Sequence, residues 1–311
     1  MTSEAVCPRS GNGLGSTPLL GARTSASFPN SDLDAGHLDP PKPFLRAFNA
    51  VTWNARSLWA NCSNQTMKFA SNTMEGVDVA VFTETRQTKS RSICMDENFP
   101  GCRIFSSGIN QYKGGVAIVV KRSFLDQFSE CNSVDVLEGR IVMLDLRGQH
   151  GNLRIIGAYF DPASKLEQKR SVEMLKPLIT KDCHCIVCGD FNFVMNPHDR
   201  ISKSDAHPSD RNDIPVATVW RDLLSNSLTE WEQPEMTCES SLSFSRVDRV
   251  YSNLGDAECA AFNTFCHALG RPGAISDHSP IVFGLLAASN KTRGYIPGWV
   301  VAKGQGPPNS R

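Results

Sequence analysis

Residues 153–192 read LRIIGAYFDPASKLEQKRSVEMLKPLITKDCHCIVCGDFN, and the alternation within them sets the fold class. Leu153–Tyr159 is short, rich in Ile and closed by Asp161-Pro162, the composition of a strand. Ser164–Ile179 reads as a helix. Val172, Leu175, Leu178 and Ile179 share one face at helical spacing, interleaved with Leu166, Glu173 and Lys176. Cys185–Gly189 is again a strand. Outward from this stretch, Phe48–Trp53, Val77–Thr83, Val116–Lys121 and Ile141–Leu146 precede it, and Arg246–Tyr251 and Ile281–Leu285 follow. Each is a short run rich in Val and Ile, bounded by Gly, Asn, Asp or Pro. A second helix is expected over Thr218–Leu228, with Val219, Trp220, Leu223 and Leu224 inward. Eight strands with fewer helices point to an α/β layered sandwich rather than a parallel doubly wound sheet.

The chain has 311 residues, 40% hydrophobic and 21% charged, enough for a substantial core. Residues 1–43 and 288–311 are rich in Gly, Ser, Pro and Asn without periodicity. They read as a disordered leader and a flexible tail around one domain at 44–287. Lys plus Arg and Asp plus Glu are both 32, so nothing draws the whole chain to a polyanion. Nucleic acid would have to be held by a local site and a bound cation rather than a basic face. The 11 cysteines, odd in number and unevenly spaced, read as reduced thiols of an intracellular protein. No stretch approaches the ~20 apolar residues of a membrane span, and residues 1–27 hold no signal-like apolar run, so no membrane partner is expected.

Polar residues recur at the ends of the expected strands. Asn54 follows Phe48–Trp53, Glu84 follows Val77–Thr83, Tyr159 ends its own strand, and Asp190 and Asn192 follow Cys185–Gly189. Asp248 lies inside Arg246–Tyr251, and Asp277-His278 precede Ile281–Leu285. Acids, amides and one imidazole at strand ends can form a catalytic site on rigid elements. The residue types suit phosphodiester hydrolysis, because an anionic substrate repels hydroxide. A divalent cation must neutralise the phosphoryl oxygens, and a carboxylate must prepare water. Glu84 and Asn54 offer the hard oxygens that Mg²⁺ prefers, with Mn²⁺ as an alternative. Asp190 is suited to orient or deprotonate water. His278 can donate to the phosphate, with Asp248 fixing its tautomer.

TWN (Thr52–Asn54), TETR (Thr83–Arg86), GGVAIVV (Gly114–Val120), AYFDP (Ala158–Pro162), GDFN (Gly189–Asn192), SRVDRVY (Ser245–Tyr251) and SDHSPI (Ser276–Ile281) occur in that order. The order resembles the endonuclease/exonuclease/phosphatase superfamily over about residues 46–287, and the WNARSL, ETR and SRVDRVY wording looks most like the endonuclease of non-LTR retrotransposons, related to apurinic/apyrimidinic endonucleases. The resemblance implies a four-layered α/β sandwich, two packed, mainly antiparallel sheets faced by helices. It implies metal binding by Asn54 and Glu84 with Asp277 close by, phosphate contacts from Tyr159 and Asn192, water preparation by Asp190, and phosphate stabilisation by the Asp248–His278 pair. It also implies a nucleic-acid partner, double-stranded DNA, and a nuclear location if that DNA is genomic. Two departures stand out. Arg56 occupies the place where many repair-type members carry an acid, and Phe160-Asp161-Pro162 replaces their Pro-Asn after the tyrosine. Arg56, with Arg86 following Glu84, is therefore expected at a flanking phosphate, on ordinary duplex rather than abasic DNA.

Plainer readings compete at each residue alone. Asp190 and Asn192 can form an Asx turn, Tyr159 can be core packing, and His278 can be structural. The joint order of the motifs is what outweighs them. Cys183-His184-Cys185 with Cys188 lacks the paired spacing of a zinc site and lies where a strand must run. Gly114-Gly115 is not followed by a phosphate-loop pattern and reads as a turn into a strand. Two rival functions remain: the same fold acting on a phosphoinositide, sphingomyelin or RNA, and an inert relic of a mobile element. No polymerase motif accompanies the domain.

Overall fold

The computed structural model describes residues 42–58, 65–88, 95–209 and 212–286. In chain order its strands are β1 (Phe48–Asn54), β2 (Val79–Thr83), β3 (Cys102–Ser107), β4 (Val116–Lys121), β5 (Glu130–Leu137), β6 (Ile141–Arg147), β7 (Leu153–Tyr159), β8 (His184–Asp190), β9 (Arg200–Ser202), β10 (Thr229–Glu230), β11 (Cys238–Glu239), β12 (Ser243–Ser245), β13 (Asp248–Ser252), β14 (Thr264–Ala268) and β15 (Ile281–Leu285). One six-stranded sheet runs β14-β15-β1-β2-β4-β3, and a second runs β10-β13-β8-β7-β6-β5. Among the described residues each contains one parallel pair, β1–β2 in the first and β7–β8 in the second; the remaining pairs are antiparallel. A small sheet, β11-β12-β9, stands apart from both.

The layers follow from which faces are apolar. Phe48, Ala50, Val79, Val81, Ile118 and Val120 of the first sheet meet Val142, Leu144, Ile155, Ile186, Cys188 and Val250 of the second in one central cluster. Alternate residues of the first sheet, Val51, Trp53, Ala80, Phe82 and Val119, point the other way. They pack under Met67, Ala70 and Met74 of the helix Gln65–Glu75. The outer face of the second sheet carries Ile156, Ala158, Cys185 and Val187 against Val172, Leu175, Trp220 and Leu224 of the helices Lys165–Leu175 and Ile214–Leu224. Helix, sheet, sheet and helix make the four-layered α/β sandwich that the sequence led us to expect. Among the described residues no helix is long and apolar enough to cross a membrane.

Several boundaries move, each for a local reason. The helix expected at Ser164–Ile179 starts on Ser164, whose side chain accepts from the Glu167 amide at 3.2 Å. It tightens into a 3₁₀ turn at Lys176–Leu178, where Pro177 has no N–H to continue the α ladder. The helix expected at Thr218–Leu228 lies four residues earlier, at Ile214–Leu224. Pro215 suits a first helical turn. Asp213 before it is anchored by Lys165 (2.5 Å), Arg200 (2.7 Å) and the Val194 amide (3.1 Å). Strand β13 begins at Asp248 because the Arg246 amide is already bonded to the Asp199 carbonyl at 2.7 Å. Strand β2 begins at Val79, since Asp78 accepts from the Asn49 amide and Val77 closes the preceding helix. Cys183, just before β8, and Cys185 within it pack outward, whereas Cys188 points into the central core, which suits packing and not a metal. The expectations for residues 1–43 and 288–311 lie outside the described residues, apart from Lys42 and Pro43, which pair with Asn152.

Arg249 is a large charged side chain that lies fully buried in this core. It donates to Asp199 at 3.0 Å and to the Phe193 carbonyl at 3.1 Å, and lies 3.3 Å from Glu230. Removing one partner of a buried ion network leaves uncompensated charge. Arg249→Ala is therefore expected to lower unfolding free energy by about 3–5 kcal/mol. Arg170→Ala, which breaks an exposed pair with Glu167, should change it by less than about 1 kcal/mol. Urea denaturation of both variants checks this, and equal effects would contradict it.

Candidate active site

The two parallel pairs end at the same edge of the sandwich. Register places Asn54 of β1 beside Thr83 of β2, so that Glu84 leaves β2 next to Asn54. In the second sheet Tyr159 of β7 faces Asp190 of β8, and Asp190 faces Asp248 of β13. The Asn54 amide donates to Asp190 Oδ2 at 2.8 Å and so joins the sheets at this edge. The segment entering β15 is tied to the same place. Ser276 Oγ donates to the Asn54 carbonyl at 2.8 Å, and Trp53 Nε1 to the His278 carbonyl at 3.1 Å. His278 in turn pairs with Cys238 through an antiparallel backbone bridge.

The loops that carry these groups are held in an unusual conformation. Arg56 (φ 48°), Ser57 (106°), Glu84 (51°), Arg86 (52°) and Asn192 (52°) all lie in the left-handed region. Such residues cluster where surrounding structure overdetermines the backbone. Here that structure is a ladder of loop hydrogen bonds: Ala55 N to Thr83 O (3.1 Å), Thr85 N to Gly115 O (3.1 Å), Arg86 N to Gly114 O (2.8 Å) and Gly115 N to Gly139 O (2.9 Å). Gly115, at φ 101°, lies so close that a Cβ there would collide with Thr85 Oγ1. The Gly114-Gly115 pair thus serves close backbone approach beneath the Glu84 loop.

At the centre, Asp190, Asp248 and His278 bring their ligand atoms within 4.8 Å of one another. All three are buried. His278 Nδ1 lies 2.7 Å from Asp248 Oδ2. Burial works against the imidazolium, but the charge and hydrogen bond of Asp248 outweigh it, and the His278 pKa is raised well above the usual 6.5. Asp190 accepts from Asn54, from the Asn192 amide N (2.9 Å) and from Asn192 Nδ2 (2.9 Å). Burial and then the charge of Asp248 push its carboxyl up to about 7, against His278 and the donated hydrogen bonds. A carboxyl titrating near neutrality can take a proton from water. Tyr159 is held in its protonated form by burial and by the charges of Glu84 and Asp190, with the Arg140 guanidinium 4.9 Å above its ring.

Asn192 occupies the same cluster, but its Nδ2 already donates to Asp190 and to the Phe160 carbonyl at 3.0 Å. It therefore positions Asp190, and a phosphate contact from it would require one of these bonds to be exchanged. The outer rim holds carboxylates faced by guanidinium groups. Glu84 pairs with Arg86 at 2.5 Å and Asp277 with Arg56 at 3.0 Å. Arg56, Arg86, Asp277 and Arg271 line a polar cavity of about 470 Å³. Arg271, paired with Glu239, was not singled out in the sequence. It sits in a Gly-Pro loop with no periodicity to flag it.

Asn54, Glu84 and Asp277 present hard oxygens at the edge where those cations gather. Among the described residues, Asp277 Oδ1 is buried with no hydrogen-bond partner, and Asn54 Oδ1 accepts from the Arg56 amide. This donor set fits a small divalent cation.

The His278 charge state is open to direct measurement. Because its folded pKa lies above 6.5, His278 contributes stability that is complete below that value and fades as pH rises through the folded one. In metal-free protein, imidazole NMR should find His278 charged well above pH 6.5. Asp248→Asn leaves burial dominant, and the ring should then be neutral at about pH 7. An unchanged titration in the variant would show that Asp248 does not hold the charge.

The sequence profile of the Endonuclease/Exonuclease/phosphatase family matches residues 51–278. No curated protein matches the sequence significantly. Among solved structures, an AP endonuclease from Archaeoglobus fulgidus is 17% identical, with 76% of this chain and 99% of that one covered and a TM-score of 0.57. The endonuclease domain of TRAS1, a telomere-specific non-LTR retrotransposon, is 15% identical, with coverages of 77% and 98% and a TM-score of 0.53. D. rerio TDP2 complexed with single-strand DNA product is 14% identical, with coverages of 78% and 99% and a TM-score of 0.56. At these identities the structures speak for the fold. The profile match runs from β1 to the imidazole at the head of β15, and on that match the chain belongs to the Endonuclease/Exonuclease/phosphatase family.

Proposed function

We propose that the protein is a Mg²⁺-dependent endonuclease that nicks duplex DNA, of the kind associated with retrotransposons. The observation that carries this reading is Asp190: buried, held by Asn54 and Asn192, raised to about 7, and set beside an Asp248-bound imidazole. Asp190 takes the proton of a water aligned opposite the leaving oxygen. His278, charged through Asp248, donates from Nε2 to a non-bridging phosphoryl oxygen as negative charge builds there. Tyr159, kept protonated, supplies a second donor. Asn54, Glu84 and Asp277 would hold the metal, which when bound neutralises phosphoryl oxygens and the leaving group. Arg56, Arg86 and Arg271 face flanking phosphates from the adjoining cavity. With equal numbers of acidic and basic residues overall, affinity rests on these few contacts, which favours modest sequence preference.

The test is nicking of supercoiled plasmid by the full chain. Activity should require Mg²⁺ or Mn²⁺ and vanish in EDTA. Asp190→Asn should lose roughly 10²–10⁴-fold, the range for general base catalysis. Glu84→Gln should raise the metal concentration needed for half activity. A duplex with one abasic site should be cut no more than a few-fold faster than the intact duplex. A large abasic advantage would move the substrate to damaged DNA. Hydrolysis of an inositol phosphate or sphingomyelin without nicking would replace the nucleic-acid substrate by a lipid-type phosphodiester. No hydrolysis of any of these would favour an inert relic.

A further inference from the structure

Beside the oxygen-rich rim lies a second cluster of different chemistry. Cys238, Asp277 and His278 each place a ligand atom so that all lie within 4.8 Å of one another. Backbone pairing ties all three together, since Cys238 of β11 bridges to His278 and the Glu239 amide donates to the Asp277 carbonyl at 2.9 Å. Asp277 divides its carboxylate. Oδ2 faces Arg56, while Oδ1 is buried without a hydrogen-bond partner among the described residues, 3.9 Å from His278 Nε2. On the far side of the ring, Nδ1 is held by Asp248 at 2.7 Å. A carboxylate on one imidazole nitrogen orients the other toward a metal and makes it a better ligand.

We propose that Cys238, Asp277 and His278 form a Zn²⁺ site, and that Zn²⁺ bound there blocks the hydrolytic site. Sulfur, nitrogen and oxygen from three side chains, with one position left for water, match the donors and number zinc takes. Mg²⁺ disfavours thiolate, so the two cations prefer different donor sets that share Asp277. Bond lengths of about 2.0–2.3 Å require ligand atoms roughly 3.3–3.7 Å apart, a small contraction of the cluster. Binding releases the Cys238 thiol proton, and any proton on His278 Nε2, to solvent; the freed lone pairs bind the zinc and no oxidation state changes. Once Nε2 is on zinc it cannot donate to a phosphate. The site itself stands independently of the nuclease reading, whereas the block rests on it.

Co²⁺ titrated into the reduced, Mg²⁺-free full chain reports the site directly. Wild type should develop a thiolate-to-cobalt charge-transfer band with the visible absorption of four-coordinate Co²⁺, both abolished by Zn²⁺. Because the chain has 11 cysteines, the deciding variant is Cys238→Ser, with Cys131→Ser as control. Cys238→Ser should lose the charge-transfer band and bind Zn²⁺ at least tenfold more weakly, while Cys131→Ser retains both. Near-UV circular dichroism, together with Cys238→Ala as a second variant, separates loss of a ligand from misfolding. In Mg²⁺-driven plasmid nicking, micromolar Zn²⁺ should slow wild type at least tenfold and spare Cys238→Ser. No band in wild type, a band undiminished in Cys238→Ser, or equal zinc sensitivity of the two would overturn the proposal. A Cys238-dependent band in a chain that cuts no phosphodiester would support the site and remove the nuclease reading instead.

Discussion

The Asn54–Asp190 hydrogen bond, 2.8 Å long and buried, is the constraint on which the site's geometry depends. Each partner ends one strand of the parallel pair in its own sheet, so the contact exists only if both sheets end in register at the same edge. A hydrogen bond to a charged group contributes about 1.5–3 kcal/mol net, and leaving either partner unmade inside the core costs at least as much. That asymmetry resists sliding of one sheet over the other. It also fixes Asp190 relative to Asp248 and His278, because Asp248 is its cross-strand neighbour and His278 is bound to Asp248.

What could be read from the sequence follows the sheets' interiors. The eight expected strands are the four inner strands of each sheet: β15, β1, β2 and β4 in one, and β13, β8, β7 and β6 in the other. Packed on both faces, they must be built from Val, Ile and other apolar residues, and such runs stand out. The strands not foreseen in the large sheets, β14, β3, β10 and β5, are their edges. Strand β5, ECNSVDVL, is exposed or half-exposed throughout, as suits an edge that must not pair with another chain. The helix Gln65–Glu75 was missed because its buried side, Thr66, Met67, Ala70 and Met74, is thin and partly polar.

The site divides in a similar way. Residues that end or flank inner strands, from Asn54 to His278, could be placed because the strands could. Arg271 and Cys238 could not, since one lies in a loop and the other in a two-residue strand too short to show a pattern, and the His278 it bridges to lies far along the chain. Arg246 and Arg249 show a further limit. Their motif, SRVDRVY, contributes Asp248 to the chemistry, but its arginines turn away and secure Asp199 and Glu230. Alternation along β13 sends Asp248 and Arg249 to unlike surroundings, Arg246 lies ahead of the strand, and a motif read as one unit hides that division.

The left-handed residues around the rim bear on how this protein can vary over time. A side chain branched at Cβ is badly strained at such a backbone angle, whereas Asn, Asp and Gly enter it at little cost. At positions 56, 84, 86 and 192 the main chain therefore screens substitutions before chemistry does. Descendants of this sequence can exchange a carboxylate for an amide, or shorten a side chain to glycine, far more readily than they can install Val, Ile or Thr. The routes open to a changed substrate preference at these positions are correspondingly few, and they run through small or amide side chains.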